Sequence, residues 1–305
     1  SLRVSRMMMQ YGLDAENWIA AGKLQELDGT DPSRVLAHYR RLLESRPDNV
    51  DGLNAAGSIA LRTKSYDVAA RYFLRALEVE DSSQPALSGL ARAFHRAYDP
   101  RLEDIIAELL EINPHHPTRF EIEAEKHLDT GDTEKAHQAL DQILEINTNH
   151  IRALSLKAAA YYLADNHDAV SDTQQRILSI NASASSAYRI PGRVASRHYR
   201  FAQGKSFQLK ALQIDPTDTA ARLYLAFDQL RLGEDDDARP QLEHVFESDP
   251  YNVQAYNLLG VSDALAEFET IKDPTFHLQM PADEAVVLST PVRSLLREAA
   301  ERYQK

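Results

Sequence analysis

Apolar and polar positions recur along this chain with a period close to 34 residues. Apolar stretches with helical spacing alternate with short segments rich in Asp, Asn, Pro and Ser, which favour turns and helix ends. The segments that close successive repeats are SRPDN at 45–49, VEDSS at 79–83, INPHH at 112–116, INTNH at 146–150, INASA at 180–184, IDPTD at 214–218 and SDPYN at 248–252. Their regular spacing predicts one supersecondary unit copied along the chain.

A second position keeps the same phase within each repeat and always holds a very small residue. It is occupied by Gly57, Ala91, Ala124, Ala158, Gly192, Ala226 and Gly260. Further along several repeats, an alanine is followed four residues later by a large apolar residue, as in Ala69 and Phe73 or Ala136 and Leu140. Small residues facing large ones let antiparallel helices interlock, so each repeat is predicted to be a helix pair.

The second repeat carries the fullest version of this pattern. Its matching positions are Leu53, Gly57, Tyr66, Ala69, Phe73, Ala76 and Asp81. This spacing resembles the tetratricopeptide repeat, and the resemblance extends over residues 14–268. It implies an all-α fold, a right-handed α-solenoid of about seven helix-turn-helix repeats with a short C-terminal strand-plus-helix tail. It also implies a binding or scaffold role for the solenoid.

The period sets the expected organisation of the chain. We expect an N-terminal arm at 1–13, a repeat array at 14–252, a capping helix at 253–272 and a tail at 273–305. The seven expected repeats are 14–49, 50–83, 84–116, 117–150, 151–184, 185–218 and 219–252.

The tail departs from the repeat pattern. Residues 275–280 alternate as a strand does, and Thr290-Pro291 is expected to open an amphipathic helix. Because a single strand lacks a partner, we interpret the tail as the start of a further domain cut off at Lys305. The segments Tyr256–Phe268, Phe276–Met280 and Leu295–Tyr303 resemble a junction in bacterial proteins, where a tetratricopeptide array precedes a peptidase MA-like zinc metallohydrolase of the gluzincin class. The resemblance implies a zinc site beyond Lys305 and carries no functional residue over to this chain.

Composition narrows the function classes. The net charge of −12 over 305 residues argues against nucleic-acid or anionic-membrane binding, since phosphate recognition depends on clustered Lys and Arg. Cysteine is absent, and none of the eleven histidines is followed by Glu, so the chain has no thiol site and no His-Glu-x-x-His zinc helix. The close pair His115 and His116 falls in an inter-repeat turn, where we favour a solvated loop over a metal site. We therefore expect no enzyme activity, metal or cofactor in this chain.

The start of the sequence does not fix a compartment. The chain begins with Ser-Leu-Arg instead of Met and shows no charged-then-apolar leader or membrane-spanning run. We interpret it as a piece of a longer protein from which a signal peptide could have been removed, so localisation and oligomeric state stay open.

Two candidate binding surfaces follow from the resemblance, which places the first helix of each repeat on the inner, concave face. In repeats five and six the candidates are Arg152, Tyr162, Arg189 and Arg193. No acidic residue lies between Asp172 and Asp215, a local reversal in an acidic chain. We hypothesise that Arg152, Arg189 and Arg193 receive a carboxylate, an acidic peptide or a phosphate. The alternative is a solvated helix face paired with acidic groups of neighbouring repeats.

The second candidate surface is apolar. Leu223, Phe227 and Leu230 of repeat seven share the spacing of an anchor stripe for a partner helix. The alternatives are that the next helix pair or the chain's own tail covers this stripe.

Three functional readings remain at this point. The first is a protein-interaction or scaffold module that binds a peptide or partner in the concave groove. The second is the substrate-presenting half of a larger zinc metallohydrolase. The third is a stand-alone assembly scaffold whose tail is a finished cap.

Overall fold

The computed structural model describes residues 14–27, 30–250 and 252–303, so the predicted arm at 1–13 lies outside the described residues. Within these ranges the chain forms sixteen helices and two strands. It divides into two compact units, an N-terminal unit Ser1–Asn252 and a C-terminal unit Val253–Lys305.

Helices alone make up the described part of the N-terminal unit. They are α1 Ala15–Leu27, α2 Pro32–Ser45, α3 Val50–Arg62, α4 Tyr66–Val79, α5 Gln84–Ala97, α6 Leu102–Ile112, α7 Pro117–Thr130, α8 Thr133–Ile146, α9 Ile151–Leu163, α10 His167–Ile180, α11 Ser186–Arg197, α12 Phe201–Ile214, α13 Thr219–Arg231 and α14 Asp235–Ser248. Consecutive helices pack in pairs, and the odd-numbered first helices of successive repeats also pack against one another. The predicted all-α solenoid is confirmed.

The polar closing segments double as helix caps. Asn49 Oδ1 accepts a hydrogen bond from the Gly52 amide at 2.7 Å, and Asp218 Oδ1 accepts one from Ala221 at 3.0 Å. His150 does the same through Nδ1, 3.2 Å from the Ala153 amide. Each bond satisfies a backbone N–H that has no partner inside its helix. In these cases one segment both ends a repeat and caps the first helix of the next.

The small positions set how closely the helices approach. A Cβ added at Gly57 would lie 2.7 Å from the Phe73 ring, and one at Gly192 would lie 2.4 Å from Gln208 Nε2. Ala91, Ala124, Ala158 and Ala226 are fully buried. Gly260 is different, because an added Cβ would meet no atom within 4 Å. The predicted small position at Gly260 therefore does not mark a close helix contact.

The turn inside each repeat also keeps its phase. One residue there adopts a positive φ, namely Lys64, Tyr98, Gly131, Asp165, Tyr199 and Gly233 in repeats two to seven. Glycine tolerates this left-handed backbone at no steric cost, whereas other residues pay for it. In repeats two, three, five and six the residue at this position is not glycine, so the turn has a less favourable backbone conformation. In repeat two this turn places Lys64 beside the functional site described below.

The C-terminal unit begins with helix α15, Val253–Ala266, and continues with strands β1, Phe268–Lys272, and β2, His277–Pro281. The strands pair antiparallel, with Phe268 opposite Pro281 and Lys272 opposite His277. Helix α16, Ala282–Tyr303, follows directly. The predicted capping helix at 253–272 is thus a helix only as far as Ala266.

Two details of the predicted tail are wrong. Its strand does not lack a partner, because β1 satisfies the backbone of β2. The last helix does not open at Thr290, since α16 begins at Ala282 and holds Pro291 in its interior. Asp273, in the loop between the strands, accepts hydrogen bonds from Arg297 Nε at 2.9 Å and Nη2 at 2.6 Å and so ties the hairpin to α16. The resemblance to a peptidase junction stays a prediction.

None of the helices in the described ranges combines the length and the apolar character needed to cross a membrane.

Candidate functional site: a charged cluster on the inner helices

Two glutamates lie buried on helix α7, at the middle of the repeat array. Glu121 and Glu125 are each 2% exposed, and their spacing of four places them on one face of the helix. Buried carboxylates are costly unless positive charges and hydrogen-bond donors surround them. The neighbouring first helices supply those groups.

Glu125 is held from three neighbouring helices. Arg96 of α5 places Nη2 2.8 Å from Oε2, and Arg152 of α9 places Nη2 2.7 Å from Oε1. Arg193 of α11 donates from Nη2 to Oε1 at 3.3 Å, and His95 Nε2 lies 3.2 Å from Oε2. The carboxylate is therefore the meeting point of repeats three, four, five and six.

Glu121 occupies the previous helical turn and shares one of these partners. Arg152 Nε donates to Glu121 Oε2 at 2.8 Å, and Arg92 Nη2 donates to the same oxygen at 3.1 Å. We call the set Arg92, Arg96, Arg152, Arg193, Glu121 and Glu125 the arginine–glutamate cluster. Four guanidinium groups, which stay charged in proteins, meet two carboxylates in it. The cluster therefore carries an excess of positive charge.

The pKa values of Glu125 and Arg96 reflect this excess, whereas Glu125, Tyr224 and Asp129 raise the pKa of Arg193 against the effect of burial. Burial acts to raise the pKa of Glu125, but Arg193, His95, Arg96 and Arg152 outweigh it and hold the pKa well below its usual range. The pKa of Arg96 is lowered, first by burial and then by the charges of Arg193 and Arg152. The carboxylate is thus firmly ionised, and its cationic neighbours repel one another.

Repeats four and six touch directly, although repeat five separates them in sequence. Arg193 and Glu125 are 68 residues apart, and so are Arg197 and Asp129, which form an ion pair. His198 Nε2 hydrogen-bonds to the Leu128 carbonyl at 2.7 Å. The first helices of this region therefore curve tightly around the cluster.

A lysine of repeat two likewise contacts aromatic side chains of repeat seven. Lys64 places Nζ 5.2 Å from the ring centre of Tyr224 and 6.0 Å from that of Phe227, both on α13. A cation over an aromatic face is attracted by the ring quadrupole. This contact links two repeats that lie about 160 residues apart in sequence.

Comparison with known proteins agrees with this architecture. A family model described as tetratricopeptide repeat matches residues 26–86. A chain in the crystal structure of the APC/C hetero-tetramer Cut9–Hcn1 superposes with a TM-score of 0.52 at 12% identity, over 85% of this chain and 51% of that one. Residues 26–86 are thus identified as tetratricopeptide repeat sequence, and the array has the fold of a tetratricopeptide solenoid. This chain spans about half the length of the Cut9–Hcn1 chain that it matches.

A second solved tetratricopeptide repeat protein, from Parabacteroides merdae, matches at 18% identity with a TM-score of 0.48, over 81% of this chain and 98% of that one. No curated protein matches the sequence of this chain.

The basic residues predicted to form one patch lie in two separate places in the structure. Arg152 and Arg193 belong to the arginine–glutamate cluster, whereas Arg189 is paired separately, with Nε 2.7 Å from Asp218 Oδ2. Tyr162 is buried, with its ring centre 5.2 Å from that of Phe207. This pairing with acidic groups of other repeats is what the alternative interpretation expects, and the receipt of an external anion by these arginines stays a prediction.

The apolar stripe of repeat seven is only partly accessible. Leu223 is 1% exposed and packs inside the array, so it is not an exposed anchor. Phe227 and Leu230 are half-buried, and Lys64 lies over the Phe227 ring. The continuous exposed stripe predicted from the spacing is therefore absent from the described residues of α13.

The candidate binding residues predicted from the sequence did not include the cluster members Glu121, Glu125, Arg92 and Arg96, nor Lys64 beside them. A usable signal exists, because opposite charges recur about one repeat apart. Arg92 and Glu121 are 29 residues apart, as are Arg96 and Glu125, and Arg152 lies 31 residues beyond Glu121. A search for charge pairs at the repeat period would have found these contacts in a tetratricopeptide array.

Proposed function

We propose that the repeat array binds an acidic peptide segment, or a chain end that carries a free carboxylate, at the arginine–glutamate cluster. The fold itself is typical of protein-interaction and scaffold modules and not of catalysts. The observation that carries the finer proposal is the excess of guanidinium groups on the inner helices. Arginine forks match carboxylates in geometry and charge, so an incoming carboxylate would balance this excess.

Solvent access supports the proposal. The side chains of Arg92 and Arg152 are 37% and 39% exposed, although each also contacts the buried Glu121. Their guanidinium groups therefore combine a fixed position with free donors on the solvent side. A ligand carboxylate reaching Arg92 and Arg152 would lie beside the fixed carboxylates without displacing them.

The test is peptide binding by the Arg92→Gln variant. The probe is a fluorescent ten-residue glutamate-rich peptide, prepared with a free and with an amidated C-terminus. We expect Arg92→Gln to weaken binding about tenfold, since one charge-assisted hydrogen bond is worth about 1.5 kcal/mol. A larger loss for the free-acid form would assign the contact to the terminal carboxylate.

Arg119→Gln is the matched control, because Arg119 is 40% exposed and pairs with one carboxylate, Glu123, in the same helix as Glu121. The control is expected to bind the peptide as the unaltered protein does. Unchanged affinity in Arg92→Gln, or an equal loss in both variants, would overturn the proposal.

A further inference from the structure

Helix α16 packs one side against the β hairpin of the C-terminal unit. Ala285 is 4% exposed, and Arg293 and Arg297 place Nη2 3.7 and 2.6 Å from Asp273 Oδ2 in the hairpin loop. The helix has 22 residues and is about 33 Å long, whereas each five-residue strand spans about 17 Å. The hairpin therefore covers only part of the surface of α16.

Apolar residues continue along a flank of α16 that the hairpin leaves uncovered. Leu288, Leu295 and Tyr303 are 42%, 65% and 93% exposed. Val292 and Ala299 lie between them in sequence and are half-buried. The five residues follow one another at intervals of three or four, which places them along one line of the helix surface. We call Leu288, Val292, Leu295, Ala299 and Tyr303 the α16 stripe.

The charges at the two ends of α16 are opposite in sign. Asp283 and Glu284 occupy the first turn, and Arg302 lies in the last turn. Among the residues that the structure describes, neither acidic side chain forms an ion pair. Arg302 pairs with Glu298 of the same helix, and since both side chains are exposed this pair contributes little to stability. Both ends of the helix can therefore pair with charges of a partner.

We infer that two copies of this chain associate through the α16 stripe, with their α16 helices antiparallel. An antiparallel copy brings the acidic first turn of each helix beside Arg302 of the other copy, and it also sets opposite ends of the two helix dipoles side by side. A parallel copy would instead place the two acidic turns together. The helix thus complements itself in one orientation, as an isologous two-fold interface requires.

The apolar residues fit the same arrangement. When Leu295 of one copy faces Val292 of the other, the antiparallel register places Leu288 opposite Ala299. Larger side chains then meet smaller ones along the contact, as they do where paired helices interlock. This register also brings together the oppositely charged turns at the helix ends.

The size of the α16 stripe sets the expected strength of the association. Stable protein–protein interfaces bury about 800 Å² per partner, and one line of five residues on a single helix offers less than that. We therefore expect a dissociation constant in the micromolar range, which solution methods measure directly.

The first test is sedimentation equilibrium of the unaltered chain, from about 1 to 200 µM at physiological salt. We expect the weight-average mass to rise with concentration from the monomer value of 34.3 kDa towards twice that value. A mass that stays at 34.3 kDa over the whole range would overturn the inference.

Leu295→Glu tests the assignment to the α16 stripe, and Val286→Glu is its matched control. Val286 is 83% exposed on the same helix but lies outside the stripe. Because both residues are exposed, neither change should disturb folding, which far-UV circular dichroism checks. We expect Leu295→Glu to weaken association at least tenfold and Val286→Glu to leave it unchanged. Equal association of the two variants would contradict the site.

Charge exchange tests the antiparallel orientation. Glu284→Arg should weaken association several-fold, because it sets like charges beside each other at both ends of the helix pair. Adding Arg302→Glu to this variant restores opposite charges in an antiparallel pair and should recover most of the affinity. In a parallel pair the double variant would keep like charges together, so a failure to recover would contradict the orientation. These measurements do not depend on peptide binding at Arg92, so the proposed function and this inference can fail separately.

Discussion

Two buried carboxyl groups on the inner helices, Glu125 in repeat four and Asp228 in repeat seven, behave in opposite ways. Three arginines surround Glu125, and they hold its pKa well below the usual range although burial acts to raise it. Burial raises the pKa of Asp228 to about 6, and a hydrogen bond from Ser196 opposes this only in part. Both side chains are buried, yet Glu125 stays ionised well into the acid range, whereas Asp228 takes up a proton near pH 6.

The neighbours of the two carboxyl groups explain the difference. Asp228 faces the close-packed backbone at Gly204, where an added Cβ would lie 2.6 Å from Asp228 Oδ2, and within the described residues that oxygen has no hydrogen-bond partner. Glu125 instead draws cations from repeats on both sides. Counter-charges, and not burial alone, mark which carboxyl group is built into a charged site.

The largest effect is expected from Glu125→Gln, which removes the charge at the centre of the arginine–glutamate cluster. Breaking a buried ion pair by removing one partner typically costs 3–5 kcal/mol, and we expect about 3 kcal/mol here because an amide retains part of the hydrogen bonding. Urea unfolding at pH 7 measures this change. Glu123→Gln is the control, since Glu123 is half-buried and pairs within its own helix. A change below about 0.5 kcal/mol in Glu125→Gln would contradict the role of the cluster.

We also expect the stabilities of Glu125→Gln and of the unaltered protein to depend differently on pH. The folded-state pKa of Glu125 lies below its unfolded value, so its contribution is fully present above about pH 4.3 and is lost as the pH falls through the folded-state pKa. Glu125→Gln should therefore lose less stability on acidification than the unaltered protein. Parallel pH profiles for the two proteins would argue that Arg193 and its neighbours do not act on this group.

The repeat array and its small positions could be predicted because each repeat mainly contacts its neighbours, which fixes a sequence period. Phe73 against Gly57 is such a contact. The link between Arg193 and Glu125 skips a repeat and depends on the curvature of the solenoid, which no local pattern encodes. Strand β1 is not predictable in this way, because its apolar residues Phe268 and Ile271 are three positions apart and do not show the alternation of a strand.

A smaller effect of opposite sign is expected from Asp228→Asn. The folded-state pKa of Asp228 near 6 exceeds the unfolded value near 3.9. The folded protein therefore loses stability as the pH rises between those values and Asp228 ionises. Asparagine keeps the shape without the charge, and we expect it to stabilise the fold by about 1–2 kcal/mol at pH 7 and by almost nothing near pH 4. Thermal unfolding at both pH values measures this difference. Destabilisation at pH 7 would show that the ionised group has a partner.

The smallest expected effect comes from Ser196→Ala, which isolates the one interaction that favours ionisation of Asp228. Ser196 lowers the pKa of Asp228, and its single hydroxyl proton is shared between this carboxyl group and the Gly192 carbonyl, which lies 2.9 Å from Oγ. Removal of the Ser196 hydroxyl should lower the free energy of unfolding by about 0.5 kcal/mol. It should also raise the pKa of Asp228 further, because burial then acts unopposed. NMR titration of the Asp228 carboxyl carbon measures the shift, with Ser206→Ala on the exposed side of α12 as the control. A lowered pKa would mean that water replaces the serine, and the contrast with Glu125 would then rest on Gly204 and the surrounding backbone alone.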